Sequence, residues 1–228
     1  MWLSDLDISQ DPCGGADLYL NWKEIDMLQA RAPRHRHHWV MGRIAAKDAV
    51  RHHLTHRGRE CPSPSEITIT SESGKPPIAA LPNGDKIRLS IAHSGHIAVA
   101  MSGDTAVGID AEILREHAPG VEELSLSARE RRLLTAAATR YSSQTRDSRC
   151  RLFLRFWAAK EAVAKVAGTG LAGRLSDLEI VNEHPDYIGV QHHPTQTHHR
   201  VHTFWLTSST FFPPVNTEYV VAWTRCDR

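Results

Sequence analysis

The spacing of apolar positions changes period along this chain, and each change marks an element. Alanine-rich, proline-free runs over Trp39 to Leu54 and over Phe156 to Lys165 predict long helices, the second stopping near Gly168 and Gly170. A shorter helix is expected over Leu18 to Leu28, and another over Ala128 to Thr139, opened by the S-x-x-E capping box of Ser127 and Glu130. Apolar residues on alternate positions predict strands at Ile67 to Thr70, Ile87 to Ile91, Ile97 to Met101 and Thr105 to Glu112. Further strands are expected at Leu178 to Val181, Tyr187 to Gln191, Val201 to Thr207 and Glu218 to Thr224. The turn at Ser94-Gly95 makes the second and third of these strands a hairpin. A second turn at Ser102-Gly103-Asp104 extends it to a three-stranded meander, with His93, Asp110 and Glu112 at one edge. Residues Met1 to Asp17 read as an N-terminal arm, and Tyr141 to Arg149 as a polar, mobile connector.

The two long helices share a hexapeptide. Ala45 to Val50 reads AAKDAV and Ala158 to Val163 reads AAKEAV, separated by close to half the chain. Each is followed by strands, so the pattern predicts an internal duplication. The expected fold is α+β: two similar halves, 1–112 with the arm and 113–228, each a long helix packed on a small antiparallel sheet. The natural site is a cleft between them.

At 228 residues the chain can bury a substantial core. A formal charge of +1 excludes a strongly basic nucleic-acid binder but leaves room for a local phosphate pocket. Cys13, Cys61, Cys150 and Cys226 are scattered, without a C-x-x-C pair or a secretory leader, which predicts reduced thiols in the cytoplasm. No apolar run reaches membrane-spanning length. Among fifteen histidines, His52 and His56 stand one helical turn apart, without the further ligands a zinc site needs. Arg31, Arg34 and Arg36 crowd the approach to the first long helix, as either a solvated turn or a phosphate clamp.

Chemistry concentrates on the second long helix and on the strand ending at Glu112. Trp157, Glu161 and Lys165 fall on one helical stripe, while Asp110 and Glu112, two apart on a strand, point to one face. On spacing alone, Glu161 and Lys165 also suit an ordinary surface pair. Brought together, Asp110, Glu112 and Glu161 offer hard oxygen donors of the kind that bind Mg²⁺ and leave room for phosphate.

Four ordered motifs carry a resemblance: Gly74-Lys75-Pro76, Ser90-Ile91-Ala92-His93-Ser94, Gly108-Ile109-Asp110-Ala111-Glu112 and Trp157-x-x-Lys160-Glu161-x-x-x-Lys165. In that order the chain resembles the surfactin-synthetase-activating class of phosphopantetheinyl transferases, and its Trp39 to Arg51 helix resembles members associated with polyketide and fatty-acid synthases. The resemblance implies a monomer built as a pseudo-dimer, with coenzyme A between similar halves and Mg²⁺ held by Asp110, Glu112 and Glu161. It implies transfer of the 4′-phosphopantetheine arm to a serine of an apo acyl or peptidyl carrier protein, releasing adenosine 3′,5′-bisphosphate.

Glu161, Lys165 and Asp110 are the catalytic residues the resemblance implies, with Glu161 or a metal-bound water as base. Lys75, Pro76, Ala92, His93, Lys160, Lys165, Arg31 and Arg36 are the expected coenzyme contacts, Ala92 standing where the family often has serine. Carrier docking is expected near Ile113 to Ser127, where Leu114, Val121, Leu124 and Leu126 serve either the core or the partner. The alternative function is a non-catalytic module that binds coenzyme A or a carrier.

Overall fold

The computed structural model describes Trp2–Leu3 and residues 16–72, 74–140, 146–170, 175–211 and 214–226. Most of the N-terminal arm and residues 141–145 of the connector lie outside this set, and 146–149 are helical. The fold is α+β and divides into two compact units, residues 1–107 and 108–226.

The first unit runs β1 (Trp2–Leu3), α1 (Ala16–Tyr19), α2 (Trp22–Gln29), α3 (Pro33–His56), β2 (Thr68–Thr70), β3 (Ile78–Ala80), β4 (Lys86–Ser94) and β5 (Ile97–Gly103). The second runs β6 (Val107–Ile113), α4 (Val121–Ser125), α5 (Ala128–Arg140), α6 (Arg146–Val166), β7 (Leu178–Glu183), β8 (Tyr187–His192), β9 (Thr197–Phe211) and β10 (Pro214–Arg225). The element order is the same in both. So is the strand order, β1-β5-β4-β3-β2 in one sheet and β6-β10-β9-β8-β7 in the other.

In each unit the long helix lies on its sheet and the alternating apolar residues of the strands face it. Val40, Ile44, Ala45 and Val50 of α3 are buried with Ile67, Ile69, Leu89 and Ala98. Phe156, Ala159 and Val163 of α6 are buried with Ile180, Val190, Val201 and Val220. Excluding such surface from water, at roughly 25 cal/mol per Å², is the main force holding each helix down. Among the described residues no helix is long and apolar enough to cross a membrane.

The repeated hexapeptide has a structural cause. Lys47 is fully buried and pairs with Glu24 at 2.5 Å. Glu24 closes the Asn21 capping box of α2 and accepts the Ile69 amide of β2 at 3.3 Å. In the second unit Lys160, 1 % exposed, pairs with Glu130 at 2.6 Å. Glu130 closes the Ser127 capping box of α5 and accepts the Ile180 amide of β7 at 2.8 Å. In both units, therefore, one lysine and one cap glutamate tie the long helix, the preceding helix and the first strand after it.

The three-stranded meander is corrected. The β4–β5 hairpin forms with Ser94 opposite Ile97, but the free edge of β5 is taken by β1, Trp2 opposite Ala100. The strand carrying Asp110 and Glu112 is instead the edge strand of the second sheet, beside β10. His93 and the two acids thus belong to different sheets.

Gly108 brings β6 against α6. A Cβ there would come within 1.9 Å of the Ala162 carbonyl oxygen, a backbone atom that cannot rotate away. Gly108→Ala is expected to lower stability by about 3 kcal/mol or more, read from urea unfolding, because overpacking here must separate strand from helix.

Candidate active site

Close approach of β6 and α6 assembles the acidic cluster. Asp110, 6 % exposed, accepts a hydrogen bond from Lys165 Nζ at 2.9 Å through Oδ1, and the same ammonium donates to the Ile109 carbonyl at 2.9 Å. Its other oxygen, Oδ2, is buried without a hydrogen-bond partner. Glu112, two residues along β6, accepts from the Trp157 indole N–H at 3.0 Å. Trp157, Glu161 and Lys165 follow one another at four-residue intervals on α6, one turn apart.

The carboxyls perturb one another. Burial, then the neighbouring Asp110 charge, push Glu161 up from 4.5 to about 7, with Lys165 opposing and Glu112 adding to the rise. Glu112 is raised by burial and by Asp110, against the Trp157 hydrogen bond. Asp110 is raised by burial, against Lys165. Three carboxyls thus share a site that is short of positive charge.

Among the described residues, no group of three or more histidine, cysteine or carboxylate side chains stands ready to close on a metal. Lys165 holds one oxygen of Asp110 and Trp157 one oxygen of Glu112, while Asp110 Oδ2 is left unbonded. Oxygen donors, an orphaned buried carboxylate oxygen and carboxyls raised first by burial and, for Glu112 and Glu161, also by neighbouring carboxylates fit a hard divalent cation such as Mg²⁺.

The raised Glu161 predicts a pH dependence. Because the folded protein holds this proton more tightly than the unfolded chain does, the contribution to stability is full below about pH 4.5 and is lost as pH rises through about 7. Without metal, Tm is expected to fall between pH 5 and 8, less steeply in Glu161→Gln, and Mg²⁺ to raise Tm more at pH 8 than at pH 5. Equal slopes in the two proteins, with no Mg²⁺ effect, would contradict this assignment of charge.

Other expected site residues have different surroundings. Lys160 is buried, its ammonium paired with Glu130 at 2.6 Å and donating to the Ser125 carbonyl at 3.3 Å. Arg36 donates to the Arg31 and Gln29 carbonyls at 3.0 and 2.9 Å, fixing the turn between α2 and α3. Arg31 lies over the Trp39 ring at 5.1 Å, and its buried Nε has no partner. Arg43, which spacing did not single out, lies over the same ring at 4.7 Å.

Lys75 is exposed and paired with Glu72 at 2.6 Å, beside exposed Pro76. Ala92 is buried in β4 opposite Val99. His93 is exposed and packs over Gly42 of α3, where a Cβ would meet the ring within 2.3 Å of Nε2. Of the linker residues, Leu126 is core, Leu114 and Val121 pack against it, and Leu124 is 84 % exposed.

The model of the 4′-phosphopantetheinyl transferase superfamily matches residues 106–224, more than half of the chain and all of β6 through α6. The chain belongs to the 4′-phosphopantetheinyl transferase superfamily. It is similar to the 4′-phosphopantetheinyl transferase psf-1 of Bacillus pumilus, 29 % identical over 127 residues, which are 55 % of this chain and 50 % of that protein. The match spans about half the length of that curated relative. The acidic cluster lies wholly inside the superfamily segment, as do Trp157 and Lys165.

Proposed function

We propose that this superfamily member transfers the 4′-phosphopantetheine arm of coenzyme A to a serine hydroxyl of an apo acyl or peptidyl carrier protein, releasing adenosine 3′,5′-bisphosphate. The observation that carries the reading is the cluster of Asp110, Glu112, Glu161 and Lys165, inside the matched segment, short of positive charge and built of metal-binding oxygens.

Asp110, Glu112 and Glu161 would hold Mg²⁺. Bound there, it supplies Lewis-acid neutralisation of the pyrophosphate oxygens. Lys165, already beside Asp110, is placed to turn its ammonium to a phosphate oxygen. Glu161, directly or through a water, is the group suited to take the serine proton as the oxygen attacks the phosphorus bearing the pantetheine arm. The new P–O bond forms at serine, the bond within the pyrophosphate breaks, and the bisphosphate leaves. Lys75, His93 and Arg31 are proposed for the phosphates of the nucleotide end, with Pro76 and Ala92 contributing backbone and shape. Arg36 supports Arg31 through its carbonyl. The surfactin-synthetase-activating class and a polyketide or fatty-acid carrier remain the proposed assignment within the superfamily.

Incubation with coenzyme A, Mg²⁺ and a panel of apo carriers, each then weighed intact, tests the reading. A gain of one phosphopantetheine on at least one carrier is expected. Unmodified carriers throughout, with coenzyme A still bound, would favour a non-catalytic binder.

A further inference from the structure

Gly42 lies in the interior of α3 and is the one glycine of that helix. Glycine there costs stability relative to alanine, because it gives up more backbone freedom on folding. At this position the space of the missing methyl is occupied. A Cβ built on Gly42 would overlap the edge of the His93 imidazole formed by Nε2 and Cε1, with Cε1 at 2.8 Å. The next nearest atom, Ile91 Cγ2 at 3.5 Å, stands at ordinary contact distance. The ring of His93 therefore sits where an alanine side chain would be.

The surrounding backbone is tied down on each side of that ring. His93 is paired with Ala98, and Ser94 with Ile97, across the β4–β5 ladder. His38 precedes Gly42 by one helical turn on the same stripe of α3, and its Nε2 donates to the Gly95 carbonyl of the turn at 3.0 Å. The His38 and His93 ring centroids are 6.3 Å apart. Val40, Met41 and Ile44, all buried, hold this part of α3 in the core. With strand, turn and helix fixed, an added methyl at Gly42 is accommodated by rotation of the imidazole. Gly108 is the contrast: there the obstacle is a backbone carbonyl and the fold itself must give, whereas here a side chain swings aside.

We propose that Gly42 is a positioning residue for coenzyme A binding, which rests on the role given to His93 above. By lacking a Cβ it seats the His93 ring against α3 and fixes the direction in which that ring meets the phosphates of the nucleotide end. An imidazole free to change rotamer must be ordered when the anion arrives, and that ordering is subtracted from affinity. A seated ring avoids most of this loss.

The test uses adenosine 3′,5′-bisphosphate as the probe, titrated calorimetrically into the full chain, so that the nucleotide end is read without the pantetheine arm. Gly42→Ala is expected to weaken its binding by about tenfold, the usual loss of one hydrogen bond to a charged group. Its Tm is expected to be unchanged or higher, because alanine is the better helix former. His93→Ala is expected to weaken binding by at least as much. Gly42→Ala added to His93→Ala is expected to cause no further loss, since the ring it would displace is gone.

Full affinity in either single variant, or the same loss from Gly42→Ala with and without His93, would overturn the proposal. So would a Gly42→Ala chain that melts far lower or does not fold, because the obstacle would then not be a movable ring. No carrier enters the measurement. Coupling between Gly42 and His93 can thus hold where no carrier is modified, and carriers can be modified where the coupling is absent.

Discussion

Glu161→Gln is expected to lower the rate of phosphopantetheine transfer by at least about a thousandfold while leaving the protein as stable as before, or more stable above pH 7. The rate loss combines two effects that the proposal gives this carboxylate, removal of a charged ligand for the cation and removal of the base for serine, and general-base loss alone costs about 10²–10⁴. The stability sign comes from the cluster itself. Glu161 is raised to about 7 because burial, then the charges of Asp110 and Glu112, make its own charge unwelcome, so a neutral amide of the same shape relieves that cost at alkaline pH. Steady-state transfer and a thermal melt at pH 8 measure both. Activity within tenfold of the unaltered protein would remove Glu161 from the chemistry, and a large fall in Tm would recast it as structural.

The second large effect is on folding. Lys160→Ala is expected to destabilise the protein by about 3–5 kcal/mol, the usual cost of removing one member of a buried ion pair. Glu130 would be left buried, still accepting the Ile180 amide and closing the cap of α5, with no ammonium to balance it. Lys47→Ala should behave alike, because Glu24 occupies the corresponding place. Urea unfolding gives the magnitude, and coenzyme A affinity supplies the contrast: a lysine that contacts the coenzyme would lose binding and keep stability. Unchanged stability in Lys160→Ala would return that residue to the site.

These two neighbours show where the sequence is readable and where it is not. Lys160 and Glu161 sit side by side in one motif, yet they face opposite fates because adjacent helical positions are about 100° apart. Periodicity put Glu161 on a stripe with Trp157 and Lys165, and the helix agrees. It did not tell that Lys160 points inward, since lysine is almost never buried unless paired and its partner Glu130 is thirty residues away in another helix. A signal was present nonetheless: Lys47 at the same place in AAKDAV, with an Asn21-x-x-Glu24 cap ahead of it, mirrors Lys160 and the Ser127-x-x-Glu130 cap. A residue repeated in both halves is better explained by the fold they share than by a single ligand.

The hairpin of β4 and β5 was legible because a two-residue turn joins strands of clear alternation. The sheet membership of β6 was not, because pairing of an edge strand depends on which distant segment arrives there. Trp2–Leu3 occupies the edge of β5, and β6 pairs with β10 more than a hundred residues later in the chain. Arg36 illustrates the same difficulty for cations: charge density suggests a phosphate clamp, but two of its donors satisfy carbonyls at the end of a helix.

Asp110, Glu112 and Glu161 are proposed to converge on one divalent cation beside a pyrophosphate. The most direct test is an anomalous difference map from crystals grown with Mn²⁺ and coenzyme A. A peak coordinated by oxygens of all three carboxylates and of the pyrophosphate is predicted, with Lys165 Nζ on a phosphate oxygen. A peak elsewhere, or an ordered pyrophosphate remote from Asp110 and Glu161, would contradict it.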